Sequence, residues 1–270
     1  MMVKLGALTA FGLCSLAGHA VAQQTVKVMP FGASIVTRCW RNNLFAKLKS
    51  AGVNNIDFVG SQQGSQDCLT QFPGTDNDHE GHPGSQATDY AAKGNLTVWL
   101  NQQAAVDVVV MFLGHNDIIL GHKPQADIIK AYDTLIDQMR AKNSKVQIVW
   151  SNLTPVDPKR WDTSSSPNNS KDIAALSAKI KDYAPTKSTA DSPVRFVNNF
   201  EGFDPVADTD DGEHPNKSGN EKMATKFLSA TKEAIQAATK VTTKTNKMRN
   251  TNVGTDFMNV IQEFLEENKD

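Results

Sequence analysis

Short runs of apolar residues alternate with longer stretches of helical periodicity along most of the chain. The apolar runs predict five strands, at residues 26–30, 56–59, 106–113, 146–150 and 194–197. Elsewhere apolar side chains recur three and four positions apart, the spacing of one helix face. This spacing predicts helices over residues 44–51, 88–103, 126–141, 173–183 and 218–237, the second interrupted at Gly94.

The order of these elements predicts the fold class. The run at residues 106–113 is apolar at nearly every position, which is typical of a strand buried on both faces in the middle of a parallel sheet. Strands that alternate with helices build parallel sheets through right-handed crossovers. We therefore predict an α/β protein, a three-layer α/β/α sandwich with a five-stranded parallel sheet, in which residues 61–86 and 155–170 are polar loops.

Both ends of the chain differ from this pattern. Residues 1–22 have a lysine, an apolar stretch and a closing Ala20-Val21-Ala22, the pattern of a secretory signal peptide, although a buried first strand or helix is the alternative. Residues 240–270 combine a linker rich in Thr, Lys and Asn with a short amphipathic helix, which either docks on the domain or binds an unknown partner. We predict one catalytic domain over residues 23–239 in a secreted, extracellular protein.

The charge balance and hydropathy exclude two classes of partner. The 270 residues carry 28 basic and 29 acidic side chains, a net charge of −1. Without a basic excess, the chain lacks the electrostatic footprint of a nucleic-acid-binding protein. No apolar run approaches the roughly 18 residues that a membrane span needs, so we also expect no membrane partner.

Removal of the signal peptide would leave two of the three cysteines. Cys14 lies within residues 1–22, whereas Cys39 and Cys68 lie in the predicted domain. An even number of cysteines in an oxidising compartment favours a disulfide between them. Two free buried thiols are the alternative.

Polar residues that could carry chemistry follow three of the predicted strands. Ser34 lies in the turn after the first strand, Asn116 follows the third, and Asp211 and His214 follow the last. Because ligands bind at the carboxyl ends of parallel strands, these side chains are expected to meet in one cleft. There a carboxylate can orient an imidazole that activates a serine. Each residue alone also has a purely structural interpretation.

The same residues resemble a known family. The blocks of the SGNH (GDSL-type) hydrolases are matched in order by Gly32-x-Ser34-Ile35, Gly84, Gly114-x-Asn116-Asp117 and Asp211-x-x-His214. Three further stretches resemble carbohydrate esterase family 3, which includes the acetyl xylan esterases. They are Cys39-Trp40-Arg41, Asp57-Phe58-Val59-Gly60-Ser61 and His79-Glu80-Gly81-His82-Pro83-Gly84. The resemblance covers residues 26–237 and implies the flavodoxin-like SGNH hydrolase fold.

The resemblance also implies a role for each matched residue. Ser34 would be the nucleophile, His214 its general base and Asp211 the carboxylate that orients the imidazole. The oxyanion hole would consist of the backbone N–H groups of Ser34 and Gly84 and the side-chain amide of Asn116. No metal and no organic cofactor is implied.

Some residues leave alternatives open. Gly81 is a neighbouring candidate for the oxyanion donor assigned to Gly84. His79 and His82 could be metal ligands, but without a third matching ligand we expect polar residues at the rim of the cleft. The chain also departs from the family at two positions, Ala33 in place of Asp and His115 in place of Thr. The loss of the aspartate is expected to loosen the turn that carries the serine.

The sequence therefore predicts a secreted serine esterase that removes acetyl groups from a plant cell-wall polysaccharide, with xylan as the favoured substrate. A small acetyl ester is the other substrate expected to fit a shallow cleft. The alternative is a catalytically weakened SGNH-fold protein that acts in carbohydrate binding or host interaction, a hypothesis that Ala33 supports.

Overall fold

The computed structural model describes residues 25–240. The predicted signal peptide and all of the predicted tail beyond residue 240 lie outside the described residues. Within the described range, no helix combines the length and the apolar character that a membrane crossing requires.

Strands and helices alternate along the described chain. The strands are β1 (Val26–Gly32), β2 (Ile56–Phe58), β3 (Gln62–Gln63), β4 (Asp78–Gly81), β5 (Val108–Phe112), β6 (Gln147–Ser151) and β7 (Val194–Val197). The helices are α1 (Trp40–Ser50), α2 (Gln66–Gln71), α3 (Ala87–Lys93), α4 (Asn95–Gln102), α5 (His115–Ile119), α6 (Gln125–Lys142), α7 (Pro158–Trp161), α8 (Asn169–Tyr183) and α9 (217–240). Two 3-10 turns cover Ser34–Thr37 and Ala184–Lys187.

The strands form one mostly parallel sheet in the order β3-β4-β1-β5-β6-β7. On one side β1 pairs with β5 along five residues, and on the other it pairs first with β2 and then, at its carboxyl end, with β4. Strand β3 is antiparallel to β4. The α/β prediction is confirmed, but the sheet has seven strands among the described residues rather than five.

The two additional strands lie within residues 61–86, which the polar pattern assigned to a loop. Strand β4 has the sequence Asp-His-Glu-Gly, yet His79 and Glu80 are fully buried. Glu80 accepts hydrogen bonds from the backbone N–H and the hydroxyl of Ser61, and His79 Nδ1 accepts one from the Gly81 N–H. Because Glu80 and the Nδ1 of His79 are hydrogen-bonded, a buried strand is built without the apolar pattern that identifies one.

Two hydrophobic layers cover the faces of the sheet. Alternate residues of β5 divide between them, with Val109 and Met111 facing helices α3, α4, α6 and α8. Val108, Val110 and Phe112 face α1 and α9. Strand β5 is thus buried on both faces between β1 and β6, as its apolar run predicted.

The structure has three short helices that the pattern did not predict, α2, α5 and α7, and the longer helices differ from the predicted ones at their ends. The predicted interruption at Gly94 is confirmed, because this residue separates α3 from α4 with a left-handed φ of 68°. Helix α2 falls in the first predicted loop, over residues 61–86, and helix α7 and the first two residues of α8 fall in the second, over residues 155–170. In this second loop the Asp157 N–H donates to the carbonyl of Gly212, the residue after Asp211.

Candidate active site

Ser34 begins the 3-10 turn directly after β1. The turn is closed by the Val36 N–H, which donates to the Ala33 carbonyl, and by the Thr37 hydroxyl, which donates to the Ser34 carbonyl. Gly32 permits the close approach of β1 to β5 here, because a Cβ at this position would lie 2.0 Å from the Phe112 carbonyl oxygen. The turn thus presents a half-buried Ser34 at the carboxyl edge of the sheet.

Asp211 and His214 come from the loop between β7 and α9. One carboxylate oxygen of Asp211 accepts the backbone N–H groups of Glu213 and His214, which folds the loop into a tight turn. Its other oxygen lies 2.8 Å from His214 Nδ1. On the far side of the ring, His214 Nε2 lies 2.8 Å from the hydroxyl oxygen of Ser34. The structure therefore brings together three of the predicted residues in one hydrogen-bonded chain.

Asp211 is held in its ionised form by these contacts. Partial burial favours the neutral acid, but the hydrogen bonds from the His214 backbone and ring and from the Glu213 N–H outweigh it and lower the pKa of Asp211. An ionised carboxylate at Nδ1 fixes the proton on that nitrogen and leaves Nε2 as the acceptor for the Ser34 hydroxyl.

Two of the predicted oxyanion donors, Gly84 and Asn116, lie on neighbouring segments, Gly84 in the turn after β4 and Asn116 in the first turn of α5. The Asn116 amide donates to the Ser85 carbonyl at 3.1 Å, which ties the end of β5 to the turn that contains Gly84. Gly84 has a left-handed φ of 79°, a conformation that favours glycine. Within residues 25–240 its N–H has no hydrogen-bond acceptor. The N–H of the alternative candidate, Gly81, is already donated to His79, so Gly84 is the better candidate.

Asp117 contributes to the site in a way that the sequence analysis missed. Its buried carboxylate accepts the backbone N–H groups of Ala87 and Thr88 and the Thr88 hydroxyl, at the first turn of α3. Burial outweighs these bonds and raises the pKa of Asp117. This cap joins the first turn of α5, which carries Asn116, to the start of α3, just after the Gly84 turn. A carboxylate next to Asn116 in a matched block is the signal that could have suggested it.

The two histidines before Gly84 have different environments. His82 lies at the rim, with a quarter of its side chain exposed, stacked at 4.3 Å on Trp99 and hydrogen-bonded to Glu80 at 2.6 Å. His79 is buried, which corrects the prediction of a rim residue for this position. Burial lowers the pKa of His79 to about 3. Among the described residues, no cluster of His, Cys, Asp and Glu has the arrangement of a metal site.

Both departures from the family pattern are buried. Ala33 belongs to the buried hydrophobic cluster that also contains Phe31 and Leu113. The ring nitrogen Nε2 of His115 lies 2.9 Å from the Thr154 carbonyl oxygen, and burial lowers the pKa of His115 to about 4. The backbone bonds that close the Ser34 turn require no side chain at position 33.

Cys39 and Cys68 form the predicted disulfide, with their Cα atoms 5.1 Å apart. Cys39 is the residue that precedes α1, five positions after Ser34. The bridge therefore joins the start of α1 to α2, close to the turn that carries the serine.

Comparisons with known proteins identify the family. The model of the GDSL-like Lipase/Acylhydrolase family matches residues 31–222, and the chain belongs to this family. It is 32% identical to a solved acetyl esterase mutant with an acetate ion (TM-score 0.69, covering 78% of this chain and 99% of that one). It is also 32% identical to a carbohydrate esterase family 3 protein from Talaromyces cellulolyticus (TM-score 0.67, 78% and 99%). A family 3 carbohydrate esterase from Clostridium thermocellum is 29% identical (TM-score 0.62, 79% and 98%).

A curated relative points to the same chemistry. The multidomain esterase of Ruminococcus flavefaciens is 28% identical over 228 residues, which are 77% of this chain and 28% of that protein. The chain thus spans little more than a quarter of the length of this relative. Together these relationships make the protein a carboxylic ester hydrolase with the SGNH hydrolase fold.

Proposed function

We propose that this protein is a secreted serine esterase that removes acetyl groups from a plant cell-wall polysaccharide, most simply acetylated xylan. The observation that carries the proposal is the chain of hydrogen bonds from Ser34 through His214 to Asp211, with both contacts at 2.8 Å. A serine, an imidazole and a carboxylate within this reach form an activated nucleophile.

In the proposed reaction His214 Nε2 takes the proton of the Ser34 hydroxyl as its oxygen attacks the acetyl carbonyl carbon. Asp211 stabilises the imidazolium that results, and the N–H groups of Ser34, Gly84 and Asn116 bind the oxyanion. His214 then gives its proton to the sugar oxygen as the ester bond breaks. Water, deprotonated by His214, then attacks the acetyl-enzyme, and His214 returns the proton to the Ser34 oxygen as acetate leaves. No step calls for a metal or an organic cofactor.

The names of the relatives support the small acyl group. One is an acetyl esterase with an acetate ion, and two are carbohydrate esterases of family 3. Secretion is supported by the signal-like pattern of residues 1–22 and is compatible with the Cys39–Cys68 disulfide. The polysaccharide as substrate follows from the likeness to family 3 carbohydrate esterases.

The test measures acetate release by the purified mature chain, which begins at Gln23. We expect the wild-type protein to hydrolyse 4-nitrophenyl acetate and acetylated xylan, and to hydrolyse the control ester 4-nitrophenyl octanoate more slowly. The Ser34→Ala variant should release acetate from neither acetylated substrate. A preference for the octanoate would contradict the acetyl specificity. Hydrolysis of the aryl ester without release of acetate from acetylated xylan would contradict the proposed substrate.

A second candidate is a weakened family member that binds acetylated carbohydrate without efficient turnover. It is favoured by Ala33, which replaces the aspartate of the family block with a buried methyl group. The same assay separates the two functions, since retention on immobilised acetylated xylan without acetate release would support the binding protein.

A further inference from the structure

Glu213 is a buried carboxylate between Asp211 and His214. Only 3% of the residue is exposed, and its carboxylate oxygen lies 3.9 Å from His214 Nδ1. Within residues 25–240 the carboxylate of Glu213 has no hydrogen-bond partner. Asp211, which is hydrogen-bonded to the same ring nitrogen, is far more exposed, at 43% of its side chain.

Burial of a carboxylate without hydrogen bonds destabilises a fold, and natural proteins rarely retain one for structural reasons alone. Burial accordingly raises the pKa of Glu213, the nearby His214 opposes that rise, and Asp211 adds to it by like-charge repulsion. Arg38 is the other positive neighbour, but its guanidinium pairs with Asp210 at 3.6 Å.

Within the described part of the chain, the other charged or titratable groups around the site do not pair with the Glu213 carboxylate. Arg160 and Asp157 pack against Gly212 and lie 3.9 Å from each other. His115, on the other side of the site, is neutral near pH 7 because burial lowers its pKa to about 4. The group next to Glu213 that gains positive charge during an acyl transfer is therefore His214.

We propose that Glu213 is a positioning residue, a second carboxylate that acts through His214 by stabilising the imidazolium formed when Ser34 gives up its proton. This inference rests on the proposed function. Asp211 accepts the hydrogen bond from Nδ1, and Glu213 supplies additional negative potential 3.9 Å from the same nitrogen. The burial of a carboxyl group beside the imidazole is thus explained by the reaction rather than by the stability of the fold.

The first test replaces Glu213 with glutamine, which keeps the shape and removes the charge. With 4-nitrophenyl acetate as substrate, we expect the pH-independent plateau of kcat/KM to be about three- to thirtyfold lower in Glu213→Gln than in the wild-type protein. Each tenfold loss corresponds to one pKa unit of interaction between Glu213 and the His214 imidazolium. The acid limb of the pH profile should move to lower pH, because an imidazole with one anionic neighbour fewer loses its proton more readily. Thermal unfolding should occur at the wild-type temperature or above it.

The exposed Glu201 is the matched control. Its carboxylate accepts a hydrogen bond from Asn198, which a glutamine can still accept, so Glu201→Gln should retain the wild-type profile. If Glu213→Gln also retained it, the inference would be wrong. A lower plateau with an unmoved acid limb and a lower unfolding temperature would show a structural role instead.

The second test introduces Asp211→Asn into the wild-type and the Glu213→Gln proteins. If Glu213 supports the imidazolium when Asp211 is lost, the double variant should lose at least about threefold more kcat/KM than the product of the two single losses. Additive losses would overturn the inference. In that case the proposed esterase function would still stand, provided that the wild-type protein hydrolyses the ester and Ser34→Ala does not. An inactive wild-type protein would overturn both the proposed function and the inference about Glu213.

Discussion

At the scale of single residues, the structure departs most from the sequence pattern where polar side chains are buried. His79, Glu80 and Glu213 all lie in polar stretches that are typical of solvated loops, yet each is almost inaccessible. The sequence identifies the residues of a motif by their order, but it contains no direct signal for burial of an isolated charge. For this reason Ser34, Asp211 and His214 could be predicted as a group, whereas Glu213 between them could not.

The buried His79 makes a prediction about acid stability. Its pKa in the folded protein is about 3, below the ordinary 6.5, so between these values the unfolded chain binds a proton that the folded chain does not. Stability therefore falls as the pH drops from 6.5 towards 3, by about 1.4 kcal/mol per pH unit from this residue. His115 acts in the same direction down to about pH 4.

We expect His79→Asn to reduce this slope, because the asparagine oxygen can still accept the Gly81 N–H without titrating. Urea unfolding at pH 7, 6 and 5 measures the change, and the exposed His122 supplies a control variant, His122→Asn. Equal slopes in the wild-type protein and His79→Asn would show that His79 is accessible to protons in the folded state.

At the scale of elements, the apolar periodicity was sufficient for the longer helices and for the strands of the sheet centre, but not for the short helices α2, α5 and α7. The strand predicted at residues 194–197 is confirmed at both ends, and Gly94 divides α3 from α4 as expected. The additional strands β3 and β4 were missed because their side chains are polar, and the buried Glu80 is satisfied by its hydrogen bonds from Ser61. Hydrogen-bonded polar groups can thus replace the apolar residues on which strand prediction depends.

The disulfide between the start of α1 and α2 should contribute to stability by restricting the unfolded chain. Its two cysteines are 29 residues apart, a loop for which the chain-entropy model gives roughly 3 to 4 kcal/mol. We expect the variant Cys39→Ala/Cys68→Ala to unfold at a temperature lower by roughly 6 to 16 °C. Calorimetry of the mature protein measures this shift.

Mass spectrometry after alkylation under non-reducing conditions supplies the control for that experiment. The mature wild-type protein should show no alkylated cysteine before reduction and two afterwards. Two alkylated thiols before reduction, or an unfolding temperature unaffected by the double substitution, would contradict a structural disulfide.

At the scale of the whole molecule, the site exists because a parallel sheet brings the ends of distant strands to one edge. Ser34 and His214 are 180 residues apart in the chain and 2.8 Å apart at the site. The sequence predicted that Ser34 and His214 lie close together, because each follows a predicted strand and the carboxyl ends of parallel strands share one edge of the sheet. The geometry of the Gly84 turn, the cap formed by Asp117 and the burial of Glu213 arise from tertiary contacts, which no local pattern encodes.

The central claim is that Ser34 is the nucleophile of an esterase, and covalent labelling tests it most directly. The mature protein is treated with a fluorophosphonate, which reacts with activated serines, and the modified peptide is located by mass spectrometry. We predict one adduct, on Ser34, that forms in parallel with loss of 4-nitrophenyl acetate hydrolysis, is absent from Ser34→Ala and forms far more slowly in His214→Ala. Labelling of a different serine with the same loss of activity, or undiminished hydrolysis by Ser34→Ala, would contradict the account.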